Sequence, residues 1–301
     1  MTIASNMGWA RAVGIAAGGA GAPAYQLEFD SCSLSKIGEH IDPQGVRGTR
    51  SHISENVDEG PYRVSGNLNL GAHGGKPDVL AAILPWIMGA TFSGTTIVLG
   101  DVLTDKDVTQ DWGTMGVPKS TNCRVNTATF SSQSGSNLTT NLELEGLTWV
   151  MGAASSFPAI SGTLSNMAPY VHHQGTFTLN GISMGLNSAN ITISHNLITD
   201  RFQASATRTE LPSSDLTVGV DVEMPFVSDY TSLYDLAVGG CTATFLYTNG
   251  GCSISFTFAN LKAPAQAIQI ARNAEMVTRI PFKAYRTSAT ALLTVVNDST
   301  P

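Results

Sequence analysis

The sequence is poor in charge: Asp, Glu, Lys and Arg make up only 13% of its 301 residues. Acidic residues outnumber basic ones, 23 to 16, for a formal net charge of -7. Tight nucleic-acid binding draws most of its affinity from cations that displace phosphate counterions, so this balance excludes a protein that grips DNA. It suits a surface along which a polyanion slides without adhering. Cysteine is scarce as well. Cys32, Cys123, Cys241 and Cys252 lie far apart, form no Cys-x-x-Cys pair and follow no secretory signal, which excludes a disulfide framework and leaves four reduced thiols as the expectation. No window approaches the ~20 apolar residues of a membrane helix, so no membrane insertion is expected.

Catalytic constellations are missing too, and no cofactor or metal is expected. His172-His173 would point to opposite faces of a strand and have no nearby Cys or carboxylate partner, which fits a polar linker. Asp101, Asp105, Asp107 and Asp111 lack the spacing and closing Glu of a calcium loop and read as a solvated acidic turn. In Gly71-Ala72-His73-Gly74-Gly75-Lys76 the first glycine is misplaced for a phosphate loop, and Pro77 stands where Ser or Thr would hold magnesium. There is no Gly-x-Ser-x-Gly elbow, and the chain is expected not to be an enzyme.

What the sequence does have is alternation. Hydrophobic residues reach 42%, and they recur with period two, the mark of strands with one buried face. The pattern runs through Gln26–Leu34, Arg63–Leu70, Asn141–Leu147, Asn190–Leu197, Leu216–Met224, Cys252–Ala259, Met276–Tyr285 and Ala291–Asn297. Two segments, Asp78–Met88 and Asp229–Val238, break it and read as short helices that close at glycine. Pro85 is expected to kink or end the first of them. Each helix follows an alternating strand and precedes a small-residue strand, which implies an internal duplication, with Val64–Leu70 opposite Val218–Met224. The expected layout is a flexible arm over residues 1–25, one domain over 26–150, a linker over 151–171 rich in Ser, Ala, Gly and Pro, and a second domain over 172–301.

Glu55–Gly60, the strand Arg63–Leu70 and the helix Asp78–Met88, together with the closing stretches Ser253–Leu261, Val277–Tyr285 and Leu292–Asp298, give the chain an order and spacing that resembles phage tail tube proteins. That resemblance implies a virion protein of the tail, assembled in the host cytoplasm. Its fold would be all-β with short flanking helices: two tandem β-sandwich or split-barrel domains lending strands to a ring-shaped barrel shared between subunits. Many members form hexamers from single-domain subunits, so a two-domain chain implies a homotrimeric, pseudo-hexameric ring, with the hexamer as the alternative. Tape measure protein and DNA would occupy the lumen transiently, and tail terminator and tail tip or baseplate proteins would meet the tube's ends.

Within that picture the strands before each helix form the wall. Asn67, Asn69, Asp221 and Glu223 would face the lumen, while Val64, Leu68, Leu70, Val218, Val220 and Val222 pack under the helices. The loops Gly38–Asp58 and Asp101–Lys119 would reach the adjacent ring. Two other readings fit the strand pattern. One is the tube of a contractile injection or type VI secretion machine. The other is a virion β-sandwich that binds glycans or a receptor, although Trp9, Trp86, Trp112 and Trp149 are too scattered for a stacking platform.

Overall fold

The computed structural model describes residues 12–19, 22–41, 58–74, 79–113, 116–152, 168–225, 238–264, 277–287 and 289–299. Among these residues the chain is mostly β-strand, with one α-helix of 10 residues. The first half supplies β1 (Val13–Ala17), β2 (Tyr25–Leu27), β3 (Ser31–Cys32), β4 (Ser35–Ile41), β5 (Asp58–Gly71), β6 (His73–Gly74), α1 (Val79–Met88), β7 (Thr96–Val98), β8 (Lys106–Gln110), β9 (Val117–Gln133), β10 (Thr139–Gly146) and β11 (Thr148–Gly152). The second supplies β12 (Ala168–Pro169), β13 (Gly175–Leu179), β14 (Ile182–Met184), β15 (Ser188–Ser194), β16 (Thr217–Pro225), β17 (Cys241–Asn249), β18 (Cys252–Lys262), β19 (Val277–Ala284) and β20 (Thr294–Asp298).

Antiparallel ladders join 18 of these strands into one network. Its spine runs β4–β5–β10–β9–β15–β16–β19. The long strand β9 serves two layers: Arg124–Gln133 pairs with β10 and β15, whereas Val117–Cys123 pairs with β8 and β11. In the second half β18 branches in the same way, pairing with β17 and β20 along its length and with β19 at Leu261 and Lys262. The hairpin β1–β2 lies on β8 as the hairpin β13–β14 lies on β17. The pairing order of the first half therefore recurs in the second.

The core lies between these layers, and its registers cross the halves. One buried row passes through Leu70, Thr140, Phe130, Ile191, Val220 and Phe282, and the next through Leu68, Leu142, Ala128, Ile193 and Val218. Each fully buried Leu, Ile, Val or Phe contributes about 1.5–3 kcal/mol relative to exposure. Helix α1 is apolar nearly all round and buries Val79, Leu80, Ile83, Leu84, Trp86, Ile87 and Met88 in this core. The Trp86 indole N–H donates to the Cys123 carbonyl at 3.0 Å, which satisfies its one polar group on β9. Gly89 ends the helix at φ +59°, and a β-carbon there would lie 2.5 Å from the Val102 carbonyl oxygen.

Several expectations need correction. Val13–Ala17, inside the segment read as a flexible arm, is a strand held between β2 and β8 with Val13, Ile15 and Ala16 buried. Its Gly and Ala residues hide the strand signal from composition. Pro85 neither ends nor closes α1, which continues to Met88; the buried apolar contacts of Trp86, Ile87 and Met88 outweigh the missing N–H. The segments read as loops contain strands, since Gly38–Ile41 belongs to β4, Lys106–Gln110 is β8 and Val117–Lys119 opens β9. Asp107 is fully buried, with Lys119 Nζ 2.9 Å from Oδ2 and the Asn122 N–H donating to Oδ1 at 2.9 Å, so it is no solvated turn. His172 begins a 3-10 turn and is buried between Ser132 Oγ, 2.6 Å from Nδ1, and the Leu186 carbonyl, 2.8 Å from Nε2. The second expected helix, save Val238, lies outside the described residues.

Candidate lumenal surface

Residues that alternate with the buried rows form a second, polar face on the same spine. One row in register is Asn69, Asn141, Thr129, Thr192, Gly219 and Lys283. A neighbouring row is Gly71, Thr139, Ser131, Asn190, Asp221 and Pro281. Asn67, Glu143, Thr127 and Ser194 lie to one side of these, and Gln133, Ser188, Glu223 and Arg279 to the other. The alternation that aims these residues away from the core is the pleat itself.

The four side chains singled out in the sequence thus share one face. Asn67 and Asp221 are exposed, and Asn69 and Glu223 are half-buried. Asn69 Nδ2 donates to Ser31 Oγ at 2.7 Å, and Glu223 Oε2 accepts from Arg279 Nε at 2.6 Å. Val64, Leu68, Leu70, Val218, Val220 and Val222 are all buried on the opposite face. What joins the two sets is the β9–β15 ladder, which pairs Thr127–Gln133 with Ser188–Ser194.

Sequence reasoning missed the centre of this face. Thr127, Thr129 and Ser131 belong to β9, whose inward positions include Ser120, Cys123 and Ser132 and so blur the apolar alternation. Asn141 and Glu143 were legible in Thr-Asn-Leu-Glu-Leu-Glu, where Leu142 and Leu144 mark the buried side. Most of the surface offers amides and hydroxyls rather than charges. Its formal charges are Glu143, Asp221 and Glu223 against Arg279 and Lys283. Such a face has no clustered cations with which to hold a polyanion.

One segment braces the two halves from the side. The stretch 195–216 between β15 and β16 lies against the first half, where the Tyr62 N–H donates to the Ala206 carbonyl at 2.9 Å and Arg124 Nη1 donates to the Leu211 carbonyl at 2.6 Å. Arg208 is buried and pairs with the Glu145 carboxylate of β10. Burial pushes the Glu145 carboxyl above its ordinary value, opposed by the hydrogen bond and charge of Arg208.

A family model described as phage tail tube protein matches residues 11–284. No curated protein matches the chain.

Proposed function

The chain belongs to the phage tail tube protein family, and we propose that three copies of it close into each ring of the tube, with the polar face of the β5–β10–β9–β15–β16–β19 spine lining the channel. Its role is structural and non-enzymatic, and it is a component of the virion tail. The observation that carries the ring proposal is the recurrence of pairing order between the halves. In the first half the order is β4, β5, β10, β9; in the second it is β15, β16, β19, β18. The halves meet where β9, last in the first series, pairs with β15, first in the second.

The same junction can be made between chains. Among the described residues β4 is paired on one side only, by β5, and the run from Val277 to Phe282 of β19 is paired on one side only, by β16. Open edges at both ends of a twisted sheet are aggregation-prone unless they are covered. Joining the β18–β19 end of one copy to β4 of the next, as β9 joins β15 within the chain, covers the open edge of β4, and a rotation that returns to its start closes the barrel. Two tandem units per chain then make three copies equivalent to a sixfold ring.

Asn67, Asn69, Asp221 and Glu223 face the lumen in this reading, and Val64, Leu68, Leu70, Val218, Val220 and Val222 pack away from it. Tape measure protein and then DNA pass along walls of amide and hydroxyl that offer weak, replaceable contacts. A direct test labels Asp221→Cys with a maleimide gold cluster on a Cys32→Ser background, the other three cysteines being buried. Cross-sections of assembled tubes should show the added density inside the channel. Density on the outer surface would reject the assignment.

A further inference from the structure

Resting on the lumenal assignment of the polar face, we infer that Glu223 keeps Arg279 from holding the phosphates of passing DNA, the two side chains acting as one neutral unit of the channel wall. Glu223 of β16 and Arg279 of β19 are direct cross-strand partners, and Arg279 Nε donates to Glu223 Oε2 at 2.6 Å. The arginine side chain is 81% exposed, so its charge stands at the surface of the wall and not beneath it. Two hollows of the polar face meet at this pair, one bounded by Asp221 and Pro281 and the other by Ser134, Ser136, Asn137 and Asn187. Among the described residues Arg279 is the one cation in the lining of either.

The first half has the same place without charge. When Val64–Leu70 is set opposite Val218–Met224, Asn69 takes the position of Glu223. The partner of Asn69 on β10 is Asn141, as the partner of Glu223 on β19 is Arg279. Both positions therefore hold a pair of zero net charge, two amides in one half and a carboxylate with a guanidinium in the other. The next pair along keeps the match with one carboxylate in each half, since Asn67 faces Glu143 and Asp221 faces Pro281.

An uncompensated guanidinium on such a wall is a phosphate ligand, because its planar fork presents two N–H groups to two phosphate oxygens. Repeated once per chain along a stacked tube, it would meet DNA at many points at once, and contacts that are weak singly hold tightly when linked. With Glu223 in place one donor is taken, and the adjacent carboxylate repels the phosphate that the remaining donors attract. Folding does not account for the pair, since an ion pair with one partner this exposed contributes little to stability.

Tubes pelleted with a short fluorescent DNA duplex at low salt, with and without a nuclease, test the inference. Unaltered tubes should leave the duplex in the supernatant. Glu223→Gln tubes should carry it down protected from the nuclease, the binding constant falling by about 0.9 decade per decade of salt for each phosphate held. Adding Arg279→Gln should return the duplex to the supernatant. Glu223→Lys sets two cations at the same place and shows whether DNA reaches this face. Duplex carried down by unaltered tubes, by Glu223→Lys but not Glu223→Gln, or by Glu223→Gln equally with and without Arg279, would overturn the inference and leave the lumenal assignment standing. Duplex left in the supernatant by every variant, or retained but digested as fast as free DNA, would reject the lumenal assignment and the inference with it.

Discussion

His195, just past the end of β15, donates its Nε2–H to the Ile87 carbonyl in the last turn of α1 at 2.8 Å. A second-half side chain thereby satisfies a helix end that belongs to the first half. Burial lowers the His195 pKa from its ordinary 6.5, opposed by the bond to Ile87, so the folded chain keeps a neutral imidazole where the unfolded chain takes up a proton. Stability from this group is present above that value and falls as pH drops below it. The urea midpoint of the unaltered protein should fall between about pH 7 and 5, and His195→Gln should flatten that slope. Equal slopes in the two proteins would rule out His195 as the cause.

The Arg208–Glu145 pair makes a second prediction about the same brace. The Arg208 side chain is 1% exposed and that of Glu145 11%, so truncating the arginine strands a carboxylate away from water. Arg208→Met should cost about 3–5 kcal/mol in chemical denaturation. Adding Glu145→Gln removes the stranded charge and should restore most of that loss. A double variant as unstable as the single one would mean that packing by the arginine stem, and not its charge, holds the segment.

The two faces of the spine should respond differently to the same truncation. Leu142→Ala in β10 empties a fully buried position in register with Leu68 and Ala128 and should cost about 2–5 kcal/mol. Asn141→Ala, one residue earlier and exposed, should stay within about 0.5 kcal/mol. Similar losses at both sites, measured by urea denaturation, would place Asn141 in a buried interface rather than on a channel wall.

Strands whose inward positions are large and apolar were legible in the sequence. Cys252–Ala259, for example, alternates Ile254, Phe256 and Phe258 inward and lies in β18. Strands whose inward positions are small or polar were not: β1 is Val-Gly-Ile-Ala-Ala, and β9 turns Ser120, Cys123 and Ser132 to the core. The polar face was half legible, because alternation says which residues share a face within one strand and nothing about which strands meet. That Thr129 pairs with both Asn141 and Thr192 depends on ladders far apart in sequence, set by burial of whole rows. The helix runs on past Pro85 for a related reason, since the missing backbone donor is offset by three buried side chains beyond it.

The claim that the two halves of one chain stand in for two subunits is tested most directly by averaged end views of purified tubes in cryo-electron microscopy, with chains per ring counted from the map. The account predicts three chains per ring, each crossing two pseudo-equivalent wall segments joined by the β9–β15 ladder. Six chains per ring, or a channel lined by any face other than the one carrying Asn69, Thr129 and Asp221, would contradict it.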